Sequence, residues 1–215
     1  MLVRYNRNQP DKNIDEVTTK LKFYALQVSQ KDTVEEIMGI EGIVSRTYFE
    51  GFKQFLPIGF EFRSRSYHPP FDPVNALMGF GYMLLLREIE SLLESKGFDV
   101  FLGILHSPHY GRASLACDLI EELRSPLIDR LILYLLNKGM MSLEQFSREK
   151  EKTGIKMDER ARRVFIQNYE RFVSSPFINP SSASETSFRQ IISDRVSALE
   201  NLFLRNIQYK PFIFY

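Results

Sequence analysis

Apolar residues recur along most of the chain at intervals of three and four, the spacing that places them on one face of an α-helix. Strand-like alternation of apolar and polar residues is almost absent. The spacing and the local start and stop signals predict helices at residues 11–30, 33–56, 72–97, 114–137, 142–152, 158–174 and 184–206. We therefore expect an all-α fold.

The clearest boundary signals surround the third predicted helix. Asp72 is a suitable N-cap, Pro73 fits the first helical position, and Gly97 marks the end. The next predicted helix contains Pro126, which lacks an amide donor and clashes with the preceding turn. We expect a kink at this proline.

The chain has no repeat and no low-complexity tract, so we expect one helical domain over residues 1–215. Ser142 and Gln145 match a capping box, and Asp158 is a suitable cap for the helix after it. The stretch SSPFINPSSASET, residues 174–186, has the composition of a mobile linker before the last helix.

The composition is that of a globular protein, with 44% hydrophobic and 26% charged residues and a net charge of +1. Because the net charge is small, any binding of nucleic acid must come from local clusters of Arg and Lys. No apolar stretch reaches the ~18 residues of a membrane span, and the N-terminus lacks the apolar core of a signal peptide. The single cysteine, Cys117, fits a small core residue in a reducing compartment, and we expect a cytoplasmic protein.

The second predicted helix carries an acidic residue on its apolar face. The apolar stripe of this helix consists of Ile37, Val44 and Tyr48. The spacing places Glu41 on the same face, pointing to the interior. Such a carboxylate must be paired, protonated or bound to a metal. Pairing with a base such as Arg46 and a role as a ligand remain equally open for this helix alone.

The segment HSPHYGRASLACDLIEELR places a histidine just before an acidic helix. His106 closes the apolar run FDVFLGILH, so we expect its ring to enter the interior or the floor of a cleft. Residues three and four apart share a side of the helix, which groups Asp118, Glu121 and Glu122. These acids form either a functional cluster or a solvated face in which Glu121 or Glu122 pairs with Arg124.

One imidazole and two carboxylates are a common ligand set for Mn²⁺ or Mg²⁺, whose remaining positions take water and phosphate oxygens. The competing interpretation is that His106 is a satisfied core histidine. The residue types alone leave both interpretations open.

Basic residues precede the third predicted helix. Arg63 and Arg65 come before the rigid Pro69-Pro70 turn, and Asn75 lies in the first turn of the helix. This combination predicts either a phosphate-binding surface or an exposed basic loop. A more distant basic stripe, or a solvated charged face, consists of Arg160, Arg162 and Arg163.

Three segments together resemble the signature blocks of a known family. They are Glu41-Gly42 with Arg46 and Tyr48, the stretch PPFDPVNALMGFGYMLL, and the stretch GILHSPHYGRASLACDLIEELRSPLIDRLI. In order and approximate spacing they resemble the CRISPR-associated adaptation integrase, Cas1. The resemblance extends through the closing YKPFIFY and corresponds to the α-helical catalytic domain of the family, whereas the β-rich N-terminal domain of most members has no counterpart in this sequence.

By position, the resemblance implies that Glu41, His106 and Glu121 are the catalytic residues and the ligands of Mg²⁺ or Mn²⁺, with Asp118 as a supporting acid. The offset from the histidine favours Glu121 over Glu122 as the ligand. We expect Glu122 to pair with Arg124 or another base. The residues expected to contact DNA are Arg46, Tyr48, Arg63, Arg65, Asn75 and Arg112.

The resemblance implies a divalent-metal-dependent DNA endonuclease and integrase that inserts protospacer DNA into a CRISPR array. In that reaction a 3′-hydroxyl attacks a phosphodiester. The implied partners are the protospacer duplex, the leader-repeat DNA, the small subunit Cas2 and a second copy of the chain, with no membrane. The alternatives are a non-catalytic DNA-binding or assembly module of the adaptation complex and a phosphohydrolase acting on small nucleotides.

Overall fold

The computed structural model describes residues 1–107, 109–148, 154–179 and 182–214. The helices are α1 (Leu2–Asn8), α2 (Asp15–Val28), α3 (Val34–Phe52), α4 (Pro73–Ser95), α5 (Ser114–Leu123), α6 (Arg130–Asn137), α7 (Glu159–Ser174) and α8 (Phe188–Arg205). The described strands β1 (Phe146–Ser147) and β2 (Lys156–Met157) form one antiparallel pair, and β3 (Phe177–Ile178) and β4 (Glu185–Thr186) form another. The predicted all-α class is confirmed.

Helix α4 runs through the centre of the core. Asp72 caps it, because its Oδ1 accepts a hydrogen bond of 2.7 Å from the backbone N–H of Asn75, and Pro73 occupies the first turn as predicted. Its buried residues include Leu77, Leu85 and others on several sides, and the helix contacts α5, α6 and α8. No helix in the described residues is both long and apolar enough to cross a membrane.

The segment after α5 widens into a π-helical turn over Arg124–Asp129 before α6 begins. The expected kink at Pro126 is therefore replaced by a local change of helix type. A π-helical turn contains more residues than an α-helical turn, and it accommodates a residue that has no amide donor. Leu127 and Ile128 are fully buried in the same turn, so packing holds it against α4.

Helix α1 was not expected from the sequence, and the predicted helix at 142–152 is wrong over its described part. The capping box of Ser142 and Gln145 is confirmed, but it begins only a 3-10 turn, Leu143–Gln145, and the chain then enters β1. Residues 149–152 lie outside the described residues. The capping box thus starts only a turn, because the sequence after it lacks an apolar face that would continue a helix.

The predicted linker, residues 174–186, contains the short hairpin of β3 and β4, in which Phe177 pairs with Thr186. Pro180 and Ser181 lie outside the described residues. Helix α8 begins after Ser187, whose hydroxyl accepts from the amide of Gln190, and so starts four residues later than predicted. The extent of the domain and the mobility of this segment stay predictions.

Candidate active site

Asp118 fixes the loop that carries His106. One carboxylate oxygen, Oδ1, accepts the backbone N–H of His106 at 3.0 Å and lies 2.6 Å from its ring Nδ1. The other oxygen accepts the amides of Ile104 at 2.5 Å and Leu105 at 3.0 Å. Because a carboxylate accepts hydrogen bonds, this contact makes Nδ1 the donor and leaves the lone pair of Nε2 free for a ligand. Asp118, which was expected as a supporting acid, therefore contacts His106 directly.

Gly103 allows the loop to lie this close to α5. A β-carbon at this position would collide with the carbonyl oxygen of His106, lie 2.8 Å from Cβ of Ser114 and lie 3.1 Å from Oδ2 of Asp118. These separations are shorter than van der Waals contacts, so only glycine fits without a shift of the loop or the helix. No sequence signal had indicated this glycine as part of the site.

The apolar run before His106 is not buried as expected. Phe101, Leu102 and Ile104 are 48%, 60% and 58% exposed, whereas Val100 is 4% exposed. The run forms a surface loop because Asp118 satisfies its backbone amides without a sheet or a helix. The His106 side chain is 17% exposed and lies at the edge of the core rather than inside it.

Glu121 lies one turn after Asp118 and pairs with Arg124, with 2.8 Å between Oε1 and Nη1. Burial raises the pKa of Glu121, and the nearby charge of Arg124 lowers it. The carboxylate of Glu41 raises this pKa further, and His106 lowers it. Glu41 and His106 are therefore each near enough to Glu121 to influence its pKa.

The expected pairing of Glu122 with Arg124 is wrong. The Glu122 carboxylate accepts the hydroxyl of Tyr209 at 2.5 Å and the amide of Phe212 at 2.6 Å. Adjacent residues of a helix point in different directions, so Glu121 faces the candidate site while Glu122 fastens the C-terminal segment. The competing interpretation, in which Glu121 pairs with Arg124, agrees with the ion pair in this structure.

Glu41 lies on the rim of a cavity of about 330 Å³ whose walls include Glu121, Tyr48 and Arg124. It is exposed, which corrects the expectation that it points into the interior. The reason is that α3 packs mainly against α2, which leaves much of this helix open to solvent. Arg46 is also exposed, and it has no salt bridge within the described part of the chain.

Of the predicted metal ligands, Glu41 and Glu121 line this cavity and His106 lies outside its lining, so the three do not form a closed shell. Among the described residues, no three His, Cys, Asp or Glu side chains are close enough together to hold a metal ion. The donor types nevertheless fit Mg²⁺ or Mn²⁺, since Glu41 and Glu121 offer oxygens and His106 offers Nε2. The contact between Asp118 and Nδ1 is also the arrangement that orients histidine ligands in metal sites.

Asp129 forms a buried hydrogen-bond network under the same cavity. It is 1% exposed, and its two oxygens accept the hydroxyls of Tyr48 at 2.7 Å and Tyr82 at 2.6 Å. Burial raises the pKa of Asp129 from 3.8 to about 6, although both phenols act to lower it. Asp129 was not among the residues predicted from the sequence. Its signal is a single carboxylate inside the apolar stretch PLIDRLILYLL.

Tyr82 links this network to the arginines of the site. The guanidinium carbon of Arg124 lies 5.1 Å from the centre of the Tyr82 ring, and that of Arg65 lies 5.3 Å from it. The Nε atoms of both arginines are buried and lack hydrogen-bond partners in the described structure. Asp129 thus holds Tyr82, Tyr82 supports Arg124, and Arg124 contacts Glu121.

Asn75, expected to contact DNA, is 1% exposed and fully engaged inside the protein. Its oxygen accepts from Arg65 at 2.8 Å and from the Ser66 amide at 2.9 Å, and its amide group donates to Asp72 at 2.6 Å and Ser64 at 2.9 Å. Asn75 therefore fixes the basic loop and Arg65 instead of reaching solvent.

The remaining basic candidates are more accessible. Arg63 and Arg112 are exposed, as is Arg46, whereas the Tyr48 hydroxyl is occupied by Asp129. On α7, Arg160 and Arg162 are exposed, and Arg163 pairs with Glu159. The exposed arginines of the loops and of α7 therefore remain available to phosphate groups.

Residues 1–171 match the family model described as "CRISPR associated protein Cas1". A relative from Thermus thermophilus, "CRISPR-associated endonuclease Cas1 3", is 34% identical over 195 residues, which cover 90% of this chain and 58% of the relative. A relative from Leptospira interrogans, "CRISPR-associated endonuclease Cas1", is 30% identical over 181 residues, which cover 82% of this chain and 70% of the relative.

A solved structure described as "Partial Cas6-RT-Cas1--Cas2 complex" contains a chain with a similar fold. It has a TM-score of 0.83 and 27% identity, and the match covers 99% of this chain and 63% of that chain. The present chain thus spans less than two thirds of the length of that chain and of the Thermus relative.

Proposed function

Because the chain belongs to the CRISPR-associated Cas1 family, we propose that it is a divalent-metal-dependent DNA endonuclease and integrase. Its reaction inserts protospacer DNA into a CRISPR array. The 3′-hydroxyl of the incoming strand attacks a phosphodiester of the target, a new phosphodiester forms, and the former 3′-oxygen leaves with the proton. With water as the nucleophile, the same chemistry nicks DNA.

The observation that carries this proposal is that side chains from three elements lie near one another around Glu121. Helix α3 brings Glu41 and α5 brings Glu121 to the walls of the 330 Å³ cavity, and the loop before α5 brings His106 near enough to Glu121 to affect its pKa. These are one nitrogen and two carboxylate donors from distant parts of the sequence. A solvated acidic face requires no such convergence.

In the proposed site, Glu41, His106 and Glu121 would hold Mg²⁺ or Mn²⁺. The ion supplies Lewis-acid stabilisation of the charge that develops on the phosphate and on the leaving oxygen. Asp118 is a positioning residue that keeps His106 in the tautomer with a free Nε2. Tyr82 keeps the guanidinium of Arg124 beside Glu121, where it would contact a phosphate of the bound DNA.

The exposed arginines bind the DNA backbone in this proposal. Arg46, Arg63 and Arg112 contact phosphates, and Arg160 and Arg162 extend the contacts along α7. Such contacts position DNA without reading its sequence, and they make binding dependent on salt. Asn75 and Arg65 contribute indirectly, since they fix the shape of the basic loop.

We further propose Cas2 and a second copy of the chain as protein partners. The similar solved chain belongs to a complex that contains Cas2. This chain spans only part of that protein. Its partners are therefore tested first with the chain alone and then after addition of Cas2.

The test is strand transfer of a labelled duplex oligonucleotide into supercoiled plasmid, with Mn²⁺, with Mg²⁺ or with EDTA. His106→Ala is compared with His109→Ala, because His109 is an exposed loop residue on the same segment. We expect joined and nicked products that need the metal, disappear in His106→Ala and persist in His109→Ala. Binding of DNA without joining or nicking, with and without Cas2, would instead favour the non-catalytic assembly module.

A further inference from the structure

A second cavity, of about 550 Å³, lies between α1, α6, α7 and the C-terminal segment. It shares no lining residue with the 330 Å³ cavity of the candidate active site. The two are connected through the chain, because Asp129 faces the candidate site and the next residue, Arg130, lines the second cavity. The proposed reaction does not use this second cavity.

The charged side chains of the second cavity all have one sign. Arg4, Arg130 and Lys138 line it, whereas its described lining residues include no Asp or Glu. Within the described structure, none of these three cations forms a salt bridge with a carboxylate. Among the described residues, this concave site therefore has an unmatched positive charge, in a chain whose net charge is only +1.

Both arginines of the cavity contact the same aromatic ring, that of Phe214. The guanidinium carbon of Arg130 lies 5.3 Å from the ring centres of Phe172 and Phe214 and 5.4 Å from that of Phe188. The guanidinium carbon of Arg4 lies 4.7 Å from the centre of the same Phe214 ring. Burial lowers the pKa of Arg130, and the charge of Arg4 lowers it further. An anion between the two guanidinium groups removes this repulsion.

The rest of the lining suits a flat ring attached to that anion. Tyr5, Tyr134 and Phe172 supply aromatic walls, and Gln9 supplies an amide group, whereas the amide nitrogen of Asn137 donates to the carbonyl oxygens of Phe55 and Leu133. The volume lies within the ~300–1,000 Å³ that small-ligand sites occupy. Arginines that bind phosphate beside aromatic rings that stack on bases are the combination found in sites for single-stranded nucleic acid.

We propose that this cavity binds one nucleotide unit of a DNA strand, with its phosphate between Arg4 and Arg130 and its base against the aromatic walls. The choice of DNA as the source of that nucleotide rests on the proposed function. Lys138 adds a further contact to the backbone at the mouth of the cavity. The chain then holds DNA at two places that flank the turn between α5 and α6.

The first measurement is the salt dependence of binding to a single-stranded oligonucleotide. Arg4→Gln/Lys138→Gln is compared with Arg7→Gln/Arg205→Gln, which removes the same charge from exposed positions on α1 and α8 outside the cavity. We expect the cavity variant to bind about tenfold more weakly and to lower the slope of log Kd against log salt by about two. Equal losses in the two variants would overturn the proposal.

The second measurement uses the unaltered protein, so it does not depend on the folding of a variant. An oligonucleotide with 5-iododeoxyuridine is irradiated in the complex, and mass spectrometry locates the cross-linked peptides. Cross-links at Tyr5 or Tyr134 support the proposal, and cross-links confined to other surfaces contradict it. Inorganic phosphate and dAMP are added separately as competitors. Loss of the cross-links with dAMP but not with phosphate shows that the site takes a free nucleotide.

The outcomes separate this inference from the proposed function. If the protein joins DNA but shows neither the change of slope nor the cross-links, only the inference about the cavity fails. If no joining occurs but both effects are present, the cavity binds nucleic acid and the proposed catalysis fails.

Discussion

The carboxylate of Asp118 holds His106 by its ring nitrogen, at 2.6 Å, and by its backbone amide, at 3.0 Å. One side chain of α5 therefore decides both where the loop lies and which ring nitrogen faces outward. Glu121 projects from the same helix one turn later. The candidate site is built on a packed helix, and this explains how an exposed loop can present a histidine in a fixed orientation.

Asp118→Asn should lower DNA joining and nicking by about ten- to one hundredfold, the usual effect of losing the partner of a histidine ligand. The new amide group turns a donor toward the ring or the loop amides, so His106 loses its fixed orientation. Rates are measured on a labelled duplex, and circular dichroism checks the helix content. Asp194→Asn, an exposed change on α8, is the matched control and should leave the rate unchanged.

Glu121→Gln and Glu122→Gln should have opposite effects although the residues are adjacent. Glu121→Gln should abolish joining while the free energy of unfolding changes little, because it removes a proposed ligand but not a packing contact. Glu122→Gln should lower the free energy of unfolding by about 1–2 kcal/mol and keep most of the activity, because it weakens the bonds to Tyr209 and Phe212. Urea unfolding and the joining assay measure the pair, and the reverse assignment of the two losses would contradict the site.

Asp129 should make the stability of the fold depend on pH. Burial raises its pKa from 3.8 to about 6 in the folded chain, so the folded state holds this proton more tightly than the unfolded state does. The contribution of the group is therefore complete below about pH 3.8 and is lost as the pH rises through about 6. The difference in unfolding free energy between the protein and Asp129→Asn should fall across this window, as measured by urea unfolding. A constant difference from pH 4 to 7 would show that Asp129 does not titrate there.

Gly103→Ala should slow DNA joining and destabilise the fold by about 1–3 kcal/mol, since the new methyl group pushes the His106 loop away from α5. Gly79→Ala is the control, because a β-carbon at Gly79 has no atom within 4 Å in the described structure. Alanine favours the interior of a helix, so this control should raise stability by up to about 1 kcal/mol and leave activity intact. Thermal unfolding and the joining assay compare the two variants, and equal behaviour would argue against the close packing at Gly103.

The amino-acid sequence by itself determined the helical class and most of the helices, because these depend on local spacing and on caps such as Asp72 and Asp158. It also indicated Glu41, His106 and Glu121 as candidates, since their residue types and blocks resemble those of the family. Their catalytic role stays a proposal. Local helix signals also fail at residues 142–148, where a cap is present but no apolar face follows to extend the helix.

Only the tertiary structure decided how these residues are connected. Asp118 turns toward His106, Glu121 toward Arg124 and Glu122 toward the C-terminal segment, and no spacing along α5 distinguishes these three partners. Asp129 meets Tyr48 and Tyr82 only because α3, α4 and the π-helical turn pack together. The physical reason is that caps and apolar periodicity act over a few residues, whereas the partner of a buried or half-buried charge is set by whichever distant segment packs against it.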